Sequence, residues 1–130
     1  RPGIADRHEE SEPNESMSQA TEILVGQAIT GTVGGPGGNS DWFKVIAPRD
    51  GNVIAILANT GSNGTVNCVD CVGSDGRWIN MSRAGQARPG EQKQTKAAFF
   101  VKKGQELNWS VKSNSNSTTV PYTIAVRYVD

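Results

Sequence analysis

Apolar residues along this chain come in short runs at alternate spacing, the period of a pleated strand with one covered face. Ile23 and Val25, then Ala28, Ile29 and Val33, are broken by Gly26-Gln27 and Gly31, which predicts two short strands or one kinked strand ending at Val33. Trp42 to Ala47 predicts the next strand, with Trp42 read as a core residue. A Pro48-Arg49-Asp50-Gly51 turn follows, then Asn52 to Ala58, with Val53, Ala55 and Leu57 on one face. Asp-Gly between two apolar runs predicts a hairpin there. Thr65 to Val72 reads as a strand with Val66, Cys68 and Val72 inward. Residues 82–95 read as the longest irregular stretch. Lys96 to Val101, Glu106 to Lys112 and Thr119 to Val129 complete the series. Leu107, Trp109 and Val111 share one face of their strand, and Tyr122, Ile124, Val126 and Tyr128 one face of theirs. No helical period of useful length is visible, and about eight short strands at this spacing predict an all-β fold, a jelly-roll-like antiparallel sandwich.

Residues 1–18 break the pattern: they are polar and charged, with only Ile4 and Met17 as sizeable hydrophobes, and could not bury enough surface to fold alone. They are expected to form an extended arm before a single sandwich domain at 19–130. Thirteen basic residues balance thirteen acidic ones, so net charge draws the chain toward neither nucleic acid nor an anionic membrane. No apolar run reaches the roughly 20 residues of a membrane span. No signal sequence stands at the N-terminus, so the chain reads as processed or recombinant.

Cys68 and Cys71 are the two cysteines, and His8 is the single histidine. A zinc centre wants four such ligands, and a redox C-x-x-C wants a following helix that Val72-Gly73 does not offer. A short-loop disulfide in an oxidising compartment is the expectation. N-x-S/T sequons stand at Asn14, Asn63, Asn80, Asn108 and Asn116, as glycosylation candidates in a chain whose composition alone would produce several. The loop 34–39 is rich in Gly but leads into a strand rather than a helix, which argues against phosphate binding. Catalytic machinery is sparse: His8 lies in the arm, and Asp50, Asp70 and Asp75 fall in turn-like settings where Asp serves the backbone. The chain is expected not to be an enzyme. Trp78, Tyr122 and Tyr128 are the aromatic candidates for a ligand surface, and Arg77, Arg83, Arg88, Lys93 and Lys96 mark a basic face most simply read as solvated.

Three pieces of sequence resemble the bacterial pre-peptidase C-terminal domain family, whose members include the collagen-binding modules of clostridial collagenases. They are Glu12-Pro13-Asn14-Glu15-Ser16, the strand end Gly31-Thr32-Val33 and the strand start Asp41-Trp42-Phe43-Lys44-Val45. The resemblance implies calcium held by the linker before the first strand and the loop before the aromatic strand. Carried over, the ligands are Glu10, Glu12, Asn14, the Thr32 carbonyl and Asp41, a set of hard oxygens of the kind calcium takes. Gly38, Asn39 and Ser40 stand where the family has a further Asp, so the site would carry one carboxylate fewer. Without calcium, the same residues read as a solvated acidic arm and a turn aspartate.

Two functions follow. The first is a secreted, non-catalytic structural subunit that assembles with copies of itself by lending its arm to a sheet edge, as a surface layer or filament. The second, implied by the resemblance, is an accessory domain of a secreted hydrolase that engages collagen or polysaccharide with calcium's help.

Overall fold

In the computed structural model, the described residues are 17–35, 40–77, 79, 85–95, 98–113 and 118–129, with the backbone alone described at 17 and 67–70. Among these residues a 3-10 turn at Met17–Gln19 leads into ten strands. These are β1 (Thr21–Glu22), β2 (Ala28–Gly34), β3 (Ser40–Ile46), β4 (Gly51–Asn59) and β5 (Val66–Gly73), followed by β6 (Gln86–Ala87), β7 (Gln92–Gln94), β8 (Phe99–Val101), β9 (Glu106–Lys112) and β10 (Thr119–Tyr128). One sheet has the order β1-β3-β9-β5-β6 and the other β2-β10-β4-β7, with β8 also pairing with β4. All pairs are antiparallel except β1 with β3. The molecule is the all-β sandwich that the alternation predicts.

The core lies between the sheets. Phe43, Val45, Leu107, Trp109 and Val111 face inward from one sheet, and Ile29, Val33, Val53, Ala55, Leu57, Ile124 and Val126 from the other, each at most 1 % exposed. Burying side chains of this size drives the fold, each by about 1.5–3 kcal/mol relative to exposure. Phe99 leans on the Trp109 ring at 5.9 Å between centroids, while the buried Trp109 Nε1–H meets no hydrogen-bond acceptor among the described residues.

Three expectations are corrected. Asp50-Gly51 does not close a hairpin: β3 and β4 lie in different sheets, so the 47–50 segment crosses the end of the sandwich. Long-range bonds hold it there. Gly104 N–H donates to the Ala47 carbonyl (2.8 Å) and Ala47 N–H to the Gln105 carbonyl (2.9 Å), while Lys103 N–H donates to Asp50 Oδ1 (2.7 Å). Crossing is the rule in this chain, since only the β5–β6 and β7–β8 connections stay within one sheet. The second correction is at β3, where burial alternates with Asp41, Phe43 and Val45 inward, so Trp42 is half-buried on the outer face. The third is that residues 82–95 contain two short strands, β6 and β7, with Ala87 fully buried.

A bulge in β5 explains the cysteines. Asn67 pairs with Lys112 and Asp70 with Ser110, so three steps along β5 oppose two along β9. The extra residue shifts the alternation and puts Cys71, rather than Val72, at the fully buried inward position. The expected Cys68–Cys71 disulfide is not formed, and Cys71 is a buried thiol. Three residues of extended strand carry the chain about 10 Å, beyond the Cα separation of about 4.4–6.8 Å that a disulfide spans.

Candidate functional site: the loop end of the sandwich

Three buried polar side chains hold core parity near one end of the sandwich. Asn59 continues the inward parity of Val53, Ala55 and Leu57, Asp41 precedes Phe43 and Val45 in theirs, and Tyr122 precedes Ile124 and Val126. Sheet pairing then gathers them. Tyr122 is the cross-strand partner of Asn59, and its hydroxyl donates to Asp41 Oδ2 at 2.6 Å across the gap between the sheets. Asp41 and Tyr122 are both fully buried and Asn59 is 2 % exposed. The Tyr122 ring meets Phe43 edge-on, with centroids 6.2 Å apart and planes at 78°. A carboxylate in such a place is costly unless it is hydrogen-bonded, and the tyrosine hydroxyl contributes one such bond.

Asn59 organises the adjoining loop. Its Nδ2 donates to the carbonyls of Gly64 and Ala87, both at 3.1 Å, and its Oδ1 accepts from Gly61 N–H at 2.9 Å. One buried amide thus ties the β4–β5 loop to itself and to β6. Thr60 N–H donates to the Pro121 carbonyl (3.1 Å), fastening the same loop to β10, and the Ser113 hydroxyl donates to the Thr65 carbonyl. A Cβ at Gly61 would stand 2.8 Å from Pro121 Cδ, so only glycine lets the loop lie this close to the ring. At Gly35, φ is +81° and a Cβ would stand 3.1 Å from Thr119 Cγ2, so the start of the Gly-rich loop presses on the first residue of β10.

Between these fastened segments lies an open groove of about 390 Å³ lined by Thr60, Gly61, Ser62, Asn63, Thr118, Thr119 and Pro121. Among the described residues its lining has hydroxyls, one amide and a proline ring, and no charged or aromatic side chain.

The candidate ligand residues fall as follows. Tyr122 is no surface aromatic: it is core, and its hydroxyl is bound to Asp41. Tyr128 is half-buried under Arg49, whose Cζ stands 3.7 Å from the ring centroid. The Tyr128 hydroxyl donates to the Arg49 carbonyl (2.7 Å) and accepts from its N–H (3.2 Å), so this ring clasps the β3–β4 crossing at the opposite end. Trp78 lies outside the described residues, as do His8, Asn14, Asn80, Asn116 and the whole of 1–16. Of the sequons, Asn63 is exposed on the groove. Asn108 is 1 % exposed, and its Nδ2 donates to Glu106 Oε2 at 3.0 Å, which leaves no room for a glycan.

Two of the five expected calcium ligands are described. Asp41 points into the core with Oδ2 taken by Tyr122. Thr32 pairs with Pro121, whose carbonyl is used on the other flank by Thr60. The Thr32 peptide groups therefore point away from β10, toward the sheet edge. No three His, Cys, Asp or Glu come together among the described residues, and two oxygens fall short of the six to eight calcium takes.

Sequence reasoning missed Asn59 and the groove. The signal was present as a polar residue at the core parity of Val53, Ala55 and Leu57, one position past the strand end read at Ala58.

The fold and this plugged end define a β-sandwich with fixed loops at one tip. Among solved structures it is similar to the pre-peptidase C-terminal domain of a collagenase from Bacillus anthracis. The TM-score is 0.59 and the identity 18 %, over 89 % of this chain and 98 % of that domain. It also matches a mitogen from Yersinia pseudotuberculosis at a TM-score of 0.48 and 19 % identity, over 79 % of this chain and 85 % of that one. The fold assignment rests on the first: the chain has the fold of a pre-peptidase C-terminal domain. No family model matches the sequence, and no curated protein matches it. No helix among the described residues is long and apolar enough to cross a membrane.

Proposed function

We propose that the chain is a non-catalytic accessory module of a secreted protein, one that holds an attached hydrolase on an extracellular polymer such as collagen or polysaccharide. The observation that carries this reading is the likeness to a collagenase's pre-peptidase C-terminal domain across nearly the whole of both chains. Rigid loops at one tip of a stable sandwich suit binding better than bond-breaking, because scaffold-held loops are where such folds place recognition. Co-sedimentation of the purified chain with insoluble collagen, cellulose and chitin tests it. Retention on at least one matrix without release of soluble fragments is expected, and a chain left wholly in the supernatant of all three would sink the reading.

Calcium belongs to the same reading, through Glu10, Glu12, Asn14, Thr32 and Asp41. Calorimetric titration with calcium should give a binding heat that disappears when residues 1–16 are removed. Assembly of copies through residues 1–18 draws no support from the described residues, which begin at Met17. Sedimentation velocity of the chain with and without 1–16 separates it from the accessory reading, which expects the same monomer in both.

A further inference from the structure

We infer that the groove between residues 60–63 and 118–121 is the polymer-binding site and that its ligand is an uncharged polysaccharide. The inference rests on the accessory reading above and adds to it the place and the ligand class.

Three observations carry it. The first is chemical. Thr60, Ser62, Asn63 and Thr119 can each both donate and accept hydrogen bonds, and no charged group stands among the described residues that line the groove. A sugar hydroxyl is also both donor and acceptor, so such a lining matches a chain of hydroxyls in many relative positions. The Pro121 ring and the threonine methyls offer the apolar surface that sugar C–H faces require. An anionic polymer would find no counter-charge here.

The second observation concerns the backbone. A peptide captured by strand addition needs a row of main-chain donors and acceptors. Here Thr60 N–H is spent on the Pro121 carbonyl and Gly61 N–H on Asn59 Oδ1. The groove therefore presents side chains, with Thr60, Ser62, Asn63 and Thr119 exposed, and that disfavours a protein ligand held main chain to main chain.

The third is rigidity. The lining loop is fixed by three hydrogen bonds from buried Asn59, and the β10 wall is backed by the Tyr122–Asp41 bond one residue beyond Pro121. Holding polar side chains in place before the ligand arrives lowers the ordering cost of binding. Those buried polar residues otherwise weaken the core, and they are gathered behind this groove. Lacking an aromatic platform, the site should bind weakly, with a dissociation constant on the order of 1 mM, and needs the many repeats of a polymer to be effective.

The test is affinity electrophoresis of the whole chain in native gels containing hydroxyethylcellulose, galactomannan, carboxymethylcellulose or gelatin. It is run beside the triple variant Thr60→Ala, Ser62→Ala, Thr119→Ala, whose changed side chains are all exposed. The expected result is retardation by at least one of the two uncharged polysaccharides, indifferent to added salt, and weakened at least about tenfold in a variant whose urea midpoint is unchanged. Retardation that survives in the variant overturns the groove but leaves the accessory reading standing. Retardation by gelatin alone, lost in the variant, overturns the ligand class. Retardation by carboxymethylcellulose alone that fades with salt does the same. No retardation in any gel, with retention on insoluble collagen intact, overturns the inference without touching the proposed function.

Discussion

Tyr122→Phe removes one oxygen and nothing else from the middle of the sandwich. The ring keeps its edge contact with Phe43, so packing is conserved and the cost is that of the bond to Asp41. That bond is 2.6 Å long, within the roughly 2.5–2.7 Å range of an O–H donor on a carboxylate. A hydrogen bond to a charged group contributes about 1.5–3 kcal/mol, and both partners here are shut off from water that could replace the loss. We therefore expect Tyr122→Phe to destabilise the domain by about 2 kcal/mol, a fall in Tm of about 7 °C for a chain of this size. Urea unfolding followed by tryptophan fluorescence measures it, with an unchanged m-value showing that the unfolded state is untouched. Asp41→Ala and the double variant complete a thermodynamic cycle, in which the coupling energy should be about 1.5–2 kcal/mol. A coupling below about 0.5 kcal/mol, the level reached by residues that do not interact, would refute the claim that this pair braces the two sheets. Tyr128→Phe is the internal control. Its hydroxyl serves only the Arg49 backbone at the exposed end, and its loss should cost less than about 1 kcal/mol.

Burial holds the Cys71 thiol's pKa far above the ordinary cysteine range, outweighing a lowering bond from the Asn108 backbone. The unfolded chain loses this proton from about pH 9 upward while the folded one keeps it, so stability falls with rising pH by about 1.4 kcal/mol per unit there. Urea midpoints of Cys68→Ser and of Cys68→Ser, Cys71→Ala between pH 7 and 10 should differ by that slope, and equal slopes would contradict it. Asn59→Ala strips three partners at once. It should cost about 2–4 kcal/mol and speed amide exchange at Gly61 far more than at Leu57, whereas uniform acceleration would mean Asn59 does not hold the loop locally. Secreted from a glycosylating eukaryotic host, the chain should carry a glycan at exposed Asn63 and none at buried Asn108. Peptide mass spectrometry showing occupancy at Asn108 would contradict its place in β9.

The long strands were legible because parity is a local property. Glu106–Lys112 was read to the residue, with Leu107, Trp109 and Val111 inward as observed, and β10 nearly so. Reading failed where local signals compete or run out. Trp42 and Phe43 are adjacent and both aromatic, and only the choice of Asp41 as an inward residue puts Phe43 in the core. The bulge in β5 defeated the alternation that placed Val72 rather than Cys71 at the inward position, because an extra residue shows only against its partner strand. The pair β6 and β7 is too short and too polar to leave any period, and owes its existence to the edges of β5 and β4.

By itself the sequence determined a sandwich with an apolar middle, since a period of two over several runs permits little else, and it singled out Asp41 only as a calcium ligand or a turn aspartate. Which sheet each strand joins was decided only by the tertiary structure. That choice depends on hydrogen bonds between residues as distant as Asp50 and Lys103, which no neighbouring residue announces. The same long-range pairing brings Asp41, Asn59 and Tyr122 to one tip, and so turns three isolated polar residues into the support of a groove.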